Sequence, residues 1–411
     1  MSGKIAIVGA GPSGCYLAQS LLKAAPDLEV DLIDALPVPY GLVRYGVAAD
    51  HQGTKAVTRQ FARVFERQGA RFFGCLRLGD DVALEDLRAA YDAVVLATGM
   101  PVDRPLGIPG DDLAGVFGAG RLTRALYDHP DAETLPELGA HPLIVGNGNV
   151  AIDLLRLLAK DPDELAGSDL GAGPTDWLAG AGIESLTITG RSPAAAAKFD
   201  PVMIKELAKL GGVSIDVVGT GASDEPDAVK TLDALASIAG HGSGARNVTF
   251  RFGLTPAEVI GSQGQVRAVR FTSDAGDETI PCTSVLTAIG FDADPDLPRD
   301  ALLESATDAG AGALAPGLYA TGWFRRGPRG TIPENRADAQ ALATHILDDL
   351  TADPAKPGRA IFEGRTGLVD YDGWCRIDAA ETEALPEGRC RAKITTREEM
   401  TRLASKGVTT G

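Results

Sequence analysis

Two stretches of the chain repeat one pattern of apolar and polar positions. Residues 4–24 begin with the apolar run IAIV, continue through GAGPSG, and then place apolar residues at helical spacing. Residues 142–160, PLIVGNGNVAIDLLRLLAK, show the same order of apolar run, glycines and helical spacing. Short apolar runs predict buried strands, and the spacing after them predicts amphipathic helices. The pattern therefore predicts two strand–turn–helix units.

Further apolar runs extend each unit into a sheet. EVDLI and AVVL follow the first unit, and strand patterns at residues 183–191 and 285–292 follow the second. Continuous apolar runs of this length are typical of parallel strands that are covered on both faces. After residue 317 the chain shows a strand, a loop and a long helix, and a last helix is predicted near residues 396–405.

Two segments rich in proline and in turn-forming residues predict linkers between domains. They are residues 101–116 and 292–300. We predict an α/β fold with two Rossmann-like dinucleotide-binding domains, the second inserted in the first. Residues 1–102 and 292–411 form the first domain, and residues 103–291 form the second.

The glycines of GAGPSG match what a dinucleotide pyrophosphate requires. Gly9 permits a tight turn, Gly11 lets the backbone approach a pyrophosphate, and Gly14 lets the helix pack closely on the strand. The helix N-terminus then presents partial positive charge to the phosphates. Asp34 ends the next predicted strand and is placed to accept a hydrogen bond from a ribose hydroxyl.

The second fingerprint consists of Gly146, Gly148 and Ala151 in GNGNVA, where alanine still permits close helix packing. Two such sites in one chain indicate electron transfer between two cofactors, and a flavin with a nicotinamide nucleotide is the natural pair. Because the late strand–loop–helix segment must return to the first domain and complete its pocket, we assign FAD to the first domain. The second domain is then the NAD(P)-binding domain.

Composition narrows the class of partner. The chain has 39 Lys and Arg against 56 Asp and Glu, a formal net charge of −17, which argues against nucleic acid or an anionic membrane as partner. No apolar run reaches membrane-spanning length and no signal-peptide pattern is present, so we expect a cytoplasmic protein. The five cysteines show no CxxC and no metal-ligand spacing, so we predict no metal and no iron–sulfur cluster.

Four longer strings make the assignment more specific. They are PVPYGLVRYGVAADH (37–51), VGNGNVAIDLLRLL (145–158), ATGWFRRGPRGTI (320–332) and DGWCRIDAAE (372–381). Together and in this order they resemble the adrenodoxin reductase family of ferredoxin–NADP reductases. The likeness covers nearly the whole chain, and the first and third strings are more diagnostic than any glycine motif.

The resemblance implies a set of cofactor contacts. The residues it places against FAD are Ala10, Asp34, Leu42 and Leu76, with Trp323 and the segment Gly330, Thr331 and Ile332 beside the flavin ring. The residues it places at the pyrophosphate of the nicotinamide nucleotide are Gly148, Asn149 and Val150. His51 and Trp323 are the catalytic candidates, positioned near the ring. The alternatives are a loop-capping role for His51 and a plain core role for Trp323.

The resemblance also implies the activity. Hydride passes from NADPH to FAD, and single electrons pass to an external, acidic iron–sulfur ferredoxin that supplies a monooxygenase. The family implies a monomer. Two alternatives stay open: a flavin-dependent oxidase or monooxygenase acting directly on a small molecule, and a flavoprotein whose nicotinamide site has decayed.

Residues 187–199, TITGRSPAAAAKF, depart from the family pattern. Where the family has two adjacent arginines that hold the 2′-phosphate of NADPH, this chain has Arg191 followed by Ser192. Met203 stands where the family has a nucleotide-contacting glutamate, and Lys198 is a candidate for the lost positive charge. We favour NADPH, with NADH as the alternative.

Two groups of arginines are candidates for docking an acidic ferredoxin. The first group recurs every four residues and would form a stripe on one continuous helix: Arg59, Arg63, Arg67 and Arg71. The second group flanks the proposed flavin edge: Arg325, Arg326 and Arg329. The alternatives are a solvated helix face for the first group, and pairing with a pyrophosphate or across a domain interface for the second.

Overall fold

The computed structural model describes residues 3–383 and 385–405. The chain forms two compact units. The first contains residues 1–102, 129–131 and 291–411, and the second contains residues 103–128 and 132–290. Within the described ranges, every helix is too short or too polar to cross a lipid bilayer.

The strands are numbered in chain order. They are β1 (Lys4–Val8), β2 (Glu29–Ile33), β3 (Arg71–Phe73), β4 (Ala93–Leu96), β5 (Val102–Asp103), β6 (Val116–Gly118), β7 (Pro142–Val145), β8 (Ser185–Gly190), β9 (Val213–Val218), β10 (Arg246–Phe252), β11 (Thr255–Ser262), β12 (Gln265–Thr272), β13 (Glu278–Pro281), β14 (Ser284–Thr287), β15 (Phe291–Asp292), β16 (Ala313–Ala315) and β17 (Leu318–Ala320).

The α-helices are numbered in the same way. They are α1 (Pro12–Ala24), α2 (Leu42–Tyr45), α3 (Gln52–Lys55), α4 (Thr58–Glu66), α5 (Leu84–Ala90), α6 (Ala119–Leu126), α7 (Asn149–Ala159), α8 (Ala172–Gly180), α9 (Pro201–Glu206), α10 (Pro226–Ile238), α11 (Arg299–Glu304), α12 (Gly322–Arg326), α13 (Ile332–Asp349), α14 (Tyr371–Glu383) and α15 (Arg397–Ser405). Short 3₁₀ helices lie at Pro162–Leu165, Ala194–Ala196, Leu207–Lys209 and Gly358–Phe362.

The first unit is built on a six-stranded sheet in the order β16-β17-β4-β1-β2-β3. β1 pairs in parallel with both β2 and β4, and β17 adds in parallel to β4. Ile5 and Ile7 are buried on one face of the sheet while Ala6 and Val8 are buried on the other. Burial on both faces explains why β1 is a continuous apolar run.

The second unit contains a parallel sheet in the order β6-β14-β7-β8-β10-β9. A three-stranded antiparallel sheet, β11-β12-β13, follows β10, and the sequence pattern did not predict it. The strand expected over residues 285–292 is divided: β14 ends at Thr287, Gly290 adopts a φ of +117°, and β15 begins at Phe291. The predicted α/β class with two Rossmann-like sheets is confirmed.

Candidate cofactor sites

The first glycine turn has the geometry of a phosphate cradle. Gly9 has a φ of +111°, and a Cβ atom there would collide with the carbonyl oxygen of Ala97. A Cβ atom at Gly14 would collide with the carbonyl oxygen of Gly9. At Gly11, the N-cap of α1, the nearest atom to a Cβ would be 3.9 Å away. The backbone is therefore tight at Gly9 and Gly14 and open at Gly11, as a bound pyrophosphate requires.

Asp34 is held beside this turn. Its carboxylate accepts hydrogen bonds from the N–H groups of Ala10 and Leu36, both at 2.9 Å. Burial raises the pKa of Asp34, although these backbone hydrogen bonds oppose the shift. A carboxylate oxygen that accepts one hydrogen bond can accept another. Asp34 therefore fits a ribose hydroxyl, whereas the Ala10 N–H is already used within the chain.

The loop before α2 approaches the turn closely. Tyr40 and Gly41 have φ values of +83° and +46°, and a Cβ atom at Gly41 would lie 3.1 Å from the Cα atom of Gly11. Leu42, the first residue of α2, is 43% exposed, which is unusual for a leucine beside buried loops. Leu76 is buried and donates its N–H to the carbonyl oxygen of Asp34 at 2.9 Å. The FAD contacts of Leu42 and Leu76 remain predictions.

An ion-pair network anchors this loop to α14. The buried guanidinium of Arg44 donates to the carboxylate of Glu381, which also accepts from Arg391 at 2.7 Å and from the Ile394 N–H at 2.9 Å. The Arg44 guanidinium carbon lies 5.2 Å from the ring centroid of Trp374. Burial alone would raise the pKa of Glu381, but these positive and N–H partners hold it below its ordinary value.

Sequence pattern alone did not reveal the roles of Arg44 and Glu381. Arg44 lies in the string GLVRYG and Glu381 ends the string DGWCRIDAAE. Both strings carry the family likeness, so the two residues stood in segments already marked as important. What was missing was the contact between positions 337 residues apart.

The segment after β17 returns to the first glycine turn. The Thr321 N–H donates to the carbonyl oxygen of Leu96 at 3.0 Å, which continues the pairing of β17 with β4. Gly322 has a φ of +63°, and a Cβ atom there would collide with the Ser13 side chain in α1. The Asp338 carboxylate accepts from the Gly322 N–H at 2.7 Å. The late segment therefore completes the first unit beside the cradle.

Trp323 and the start of α13 lie next along this segment. The indole stacks on Phe291 with ring centroids 5.9 Å apart, and its buried Nε1 has no hydrogen-bond partner among residues 3–383 and 385–405. Thr331 caps α13 and exchanges hydrogen bonds with Glu334 in a capping box. The Thr331 N–H is therefore occupied within the chain. The predicted positions of Gly330 and Ile332 beside FAD remain predictions.

The structure corrects the two docking groups. Arg325 pairs with Asp338 and with the carbonyl oxygen of Gly310. Arg326 pairs with Asp338 and Asn335. Both arginines are therefore paired within the first unit, and Arg329 is the exposed member of the group.

The proposed arginine stripe on one helix is also wrong. Helix α4 ends at Glu66, Arg67 is its C-cap, and Arg71 is the first residue of β3. Only Arg59 and Arg63 share a helix. Gly69 lies two residues after Arg67 and has a φ of +86°, so the chain turns before it reaches Arg71.

The catalytic candidate His51 sits at the N-cap of α3. Its carbonyl oxygen accepts the N–H groups of Thr54 and Lys55, and its side chain does not cap the helix. The backbone of His51 therefore caps the start of α3. The predicted role of the imidazole near the flavin remains a prediction.

The second glycine turn repeats the geometry of the first. Gly146 has a φ of +130°, and a Cβ atom there would collide with the carbonyl oxygen of Ala288. Gly148 is the N-cap of α7, and a Cβ atom there would meet nothing within 4 Å. Ala151 is fully buried against the sheet. The open position again follows the tight one, which fits the pyrophosphate of a second dinucleotide.

The residues around the second turn come from three segments. The Asn149 side chain accepts the Asp200 N–H at 2.7 Å, so it holds the loop that precedes α9, while Val150 is half-buried in α7. Arg191, directly after β8, is exposed. Met203 lies on α9 and is half-buried. The nucleotide contacts of Asn149, Val150 and Arg191 remain predictions.

Comparison with known proteins agrees with this geometry. The pyridine nucleotide-disulphide oxidoreductase model matches residues 3–166. Cindoxin reductase of Citrobacter braakii is 43% identical over 406 residues, which is 95% of this chain and 88% of that protein. The mitochondrial NADPH:adrenodoxin oxidoreductase of Arabidopsis thaliana is 32% identical over 459 residues, covering 98% of this chain and 95% of that protein.

The fold comparison points the same way. The structure of Mycobacterium tuberculosis FprA in complex with NADPH superposes with a TM-score of 0.91 at 32% identity, covering 98% of this chain and all of that chain. In sequence, the NADPH-ferredoxin reductase FprA of that organism is 34% identical over 453 residues, 97% of this chain and 98% of that protein. The resemblance drawn from the four strings is confirmed, and the chain belongs to the adrenodoxin reductase family of ferredoxin–NADP reductases.

Proposed function

We propose that this chain is an FAD-dependent NADPH–ferredoxin reductase. One observation carries the proposal: a chain of this family holds two glycine cradles of the same geometry, one in each unit. Each cradle is tight at its first glycine and open at the second. The first unit takes FAD and the second takes NADPH. Bound FAD supplies the conversion of a two-electron donor into single-electron steps.

The residues of the first unit bind and orient FAD. The open backbone at Gly11 and the N-terminus of α1 receive the pyrophosphate, and Asp34 accepts from the ribose. The 18-residue helix α13 begins at Ile332, and the positive end of its dipole lies at this first turn. Negative charge on a flavin ring beside that turn is thereby stabilised. The Trp323 Nε1–H is a buried donor available to the cofactor.

The acceptor is an external iron–sulfur protein of the ferredoxin type. We propose that it is acidic and that it docks on exposed arginines of the first unit, because the net charge of −17 would otherwise repel it. Arg329, Arg59 and Arg63 are exposed and carry no ion pair to another described residue. The chain acts as a monomer in this proposal.

The proposed function is tested under anaerobic conditions. The purified yellow protein is mixed with NADPH or with NADH, and the flavin absorbance is followed in a stopped-flow instrument. We expect NADPH to bleach the flavin, and added iron–sulfur ferredoxin to restore the absorbance. Bleaching by neither nucleotide would contradict the function. Oxygen consumption coupled to conversion of a small organic molecule would favour direct oxidation instead.

The substitution Gly148→Val isolates the second cradle. The backbone at this position is extended and a Cβ atom meets nothing within 4 Å, so we expect the variant to fold and to keep FAD. Its side chain fills the space for the pyrophosphate, and loss of two phosphate contacts of about 1.5 kcal/mol each slows bleaching by about 100-fold.

The matched control is Gly173→Val. Gly173 lies in α8 of the same unit, and a Cβ atom there also meets nothing within 4 Å. We expect this variant to bleach at the wild-type rate with NADPH. Equal rates for Gly148→Val and the wild type would show that NADPH does not use this turn.

A further inference from the structure

The strand that follows each glycine turn ends differently in the two units. In the first unit β2 leads directly into Asp34, a hydrogen-bond acceptor for a ribose hydroxyl. In the second unit β8 leads into Arg191 and Ser192, and the first carboxylate after it is that of Asp200. A strand end with positive charge and no acidic acceptor suits a phosphate on the ribose.

The backbone around Arg191 is fixed by the neighbouring segment. The Leu254 N–H donates to the carbonyl oxygen of Gly190 at 3.0 Å, and the Gly253 N–H donates to the carbonyl oxygen of Ser192 at 3.1 Å. These bonds continue the pairing of β8 with β10 past the end of the strand. Arg191 thus projects from an ordered position.

Lys198 reaches the same glycine turn from the following loop. Its backbone pairs in parallel with Gly148, the N-cap of α7. The loop is anchored on either side of Lys198 by the buried side chains of Ala194 and Phe199. Residues 192–197 carry no charge, and Asp200, two residues after Lys198, caps α9 by accepting the Val202 N–H.

Asn147 connects the two positions. A Cβ atom at Gly190 would collide with the Asn147 side chain, so the residue before Arg191 touches Asn147, while Lys198 pairs with the next residue, Gly148. The chain segments that carry the two cations therefore lie beside consecutive residues of one turn. The Asn147 Nδ2 is buried and has no hydrogen-bond partner in the described part of the chain.

Two other cations of this unit, Arg251 and Arg246, are paired elsewhere. Arg251 pairs with Glu278 at 2.7 Å, and Arg246 donates to the carbonyl oxygens of Ile183 and Ala159. Arg191 and Lys198 are both exposed, and no carboxylate of the described residues forms an ion pair with either. Both charges are available to a ligand.

We propose that Lys198 and Arg191 together bind the 2′-phosphate of NADPH, with Lys198 supplying the second charge that Ser192 does not. The inference rests on the proposed function. A phosphate monoester carries up to two negative charges, so one guanidinium leaves part of that charge unpaired. Lys198 acts as a point charge, and Arg191 offers paired N–H donors. Lys198 is a residue that selects NADPH over NADH.

The test measures binding to the FAD-loaded protein by isothermal titration calorimetry with NADP⁺ and with NAD⁺. We expect Lys198→Ala to lower the affinity for NADP⁺ about tenfold, because one charge-assisted contact is lost. The affinity for NAD⁺ should change by less than about twofold. Arg191→Ala is expected to weaken NADP⁺ at least as much. Lys205→Ala, an exposed lysine on α9, is the matched control and should leave both affinities unchanged.

Two results overturn the inference. Equal weakening of NADP⁺ and NAD⁺ by Lys198→Ala places the ammonium at the pyrophosphate, and unchanged affinity for both means that Lys198 makes no contact. In either case wild-type protein that binds NADP⁺ leaves the proposed function standing. Absence of NADP⁺ binding by the FAD-loaded wild type would contradict the proposed function itself.

Discussion

Glycine has two separate functions in the cradles, and the space around each Cα distinguishes them. Gly9 and Gly146 have positive φ values and no room for a Cβ atom, so they are required by the fold. Gly11 and Gly148 have ordinary φ values and open surroundings, so the fold itself would accept a side chain there. The open pair is therefore retained for the ligand and the tight pair for the backbone.

This distinction predicts opposite outcomes for two substitutions. For the FAD-free protein, we expect Gly11→Val to change the free energy of unfolding by less than about 1 kcal/mol. The variant should bind no FAD, because the valine side chain occupies the space for the pyrophosphate. Gly9→Ala should lower the free energy of unfolding by more than about 2 kcal/mol, because the residue has a positive φ and its Cβ atom would collide with the carbonyl oxygen of Ala97.

Urea unfolding of the FAD-free proteins and FAD titration by flavin fluorescence provide the two readouts. A Gly11→Val protein that takes up FAD with wild-type affinity would show that the pyrophosphate lies elsewhere. A Gly9→Ala protein as stable as the wild type would contradict the strain argument.

At the scale of elements, the loop before α2 is held in place by a helix far along the chain. Arg44 on α2 and Glu381 on α14 are both buried and paired, and Arg391 joins them from the segment after α14. The loop carries Gly41 and Leu42 against the first cradle. Helix α14 therefore helps to position the loop through this ion pair and through the contact of Trp374 with Tyr40.

Breaking the pair leaves a buried guanidinium without its main partner. We expect Glu381→Gln to lower the free energy of unfolding by about 3 kcal/mol or more at neutral pH. The control Glu399→Gln removes an exposed partner of Arg402 on α15 and should change stability by less than about 1 kcal/mol. Thermal and urea unfolding of the FAD-loaded proteins measure both.

The effect should depend on pH in one direction. The pKa of Glu381 is held below its ordinary value of 4.5, so its ionised form stabilises the fold. That contribution is complete above pH 4.5 and disappears as the pH falls through the lowered pKa. The stability gap between wild type and Glu381→Gln is therefore expected to narrow in acid. A gap that widens below pH 4.5 would reverse the sign assigned to this pair.

At the scale of the whole molecule, the charge balance restricts where an acidic partner binds. With a net charge of −17, the chain repels other acidic proteins at long range, so docking depends on a local set of unpaired cations. Arg325 and Arg326 both pair with the single carboxylate of Asp338, and Arg329 is the exposed arginine of this group. Arg329 is thus the strongest single candidate near the first cradle.

Charge reversal at Arg329 tests the docking proposal. We expect Arg329→Glu to slow reduction of an acidic iron–sulfur ferredoxin by about tenfold at low ionic strength, with a smaller effect at high salt. Reduction of a small neutral quinone should be unchanged. Lys209→Glu, an exposed charge reversal in the second unit, is the control. Equal slowing by both variants would indicate a general charge effect and remove Arg329 as a docking residue.

Local pattern was sufficient for the architecture and for the glycine positions. Apolar runs buried on both faces, helical spacing after each turn and an acidic residue at the end of β2 are properties of short segments, and the structure places them as predicted. The antiparallel sheet β11-β12-β13 was not predicted, because its strands mix buried and exposed positions and do not form apolar runs.

Contacts between distant segments could not be obtained from local pattern. The pairing of Arg44 with Glu381, the neutralisation of Arg325 by Asp338 and the pairing of Lys198 with Gly148 each join residues that are 13 or more positions apart. Whether a charged side chain is free to bind a partner or consumed inside the fold depends on which segments packing brings together. Residue type states what a side chain can bind, and three-dimensional proximity selects what it does bind.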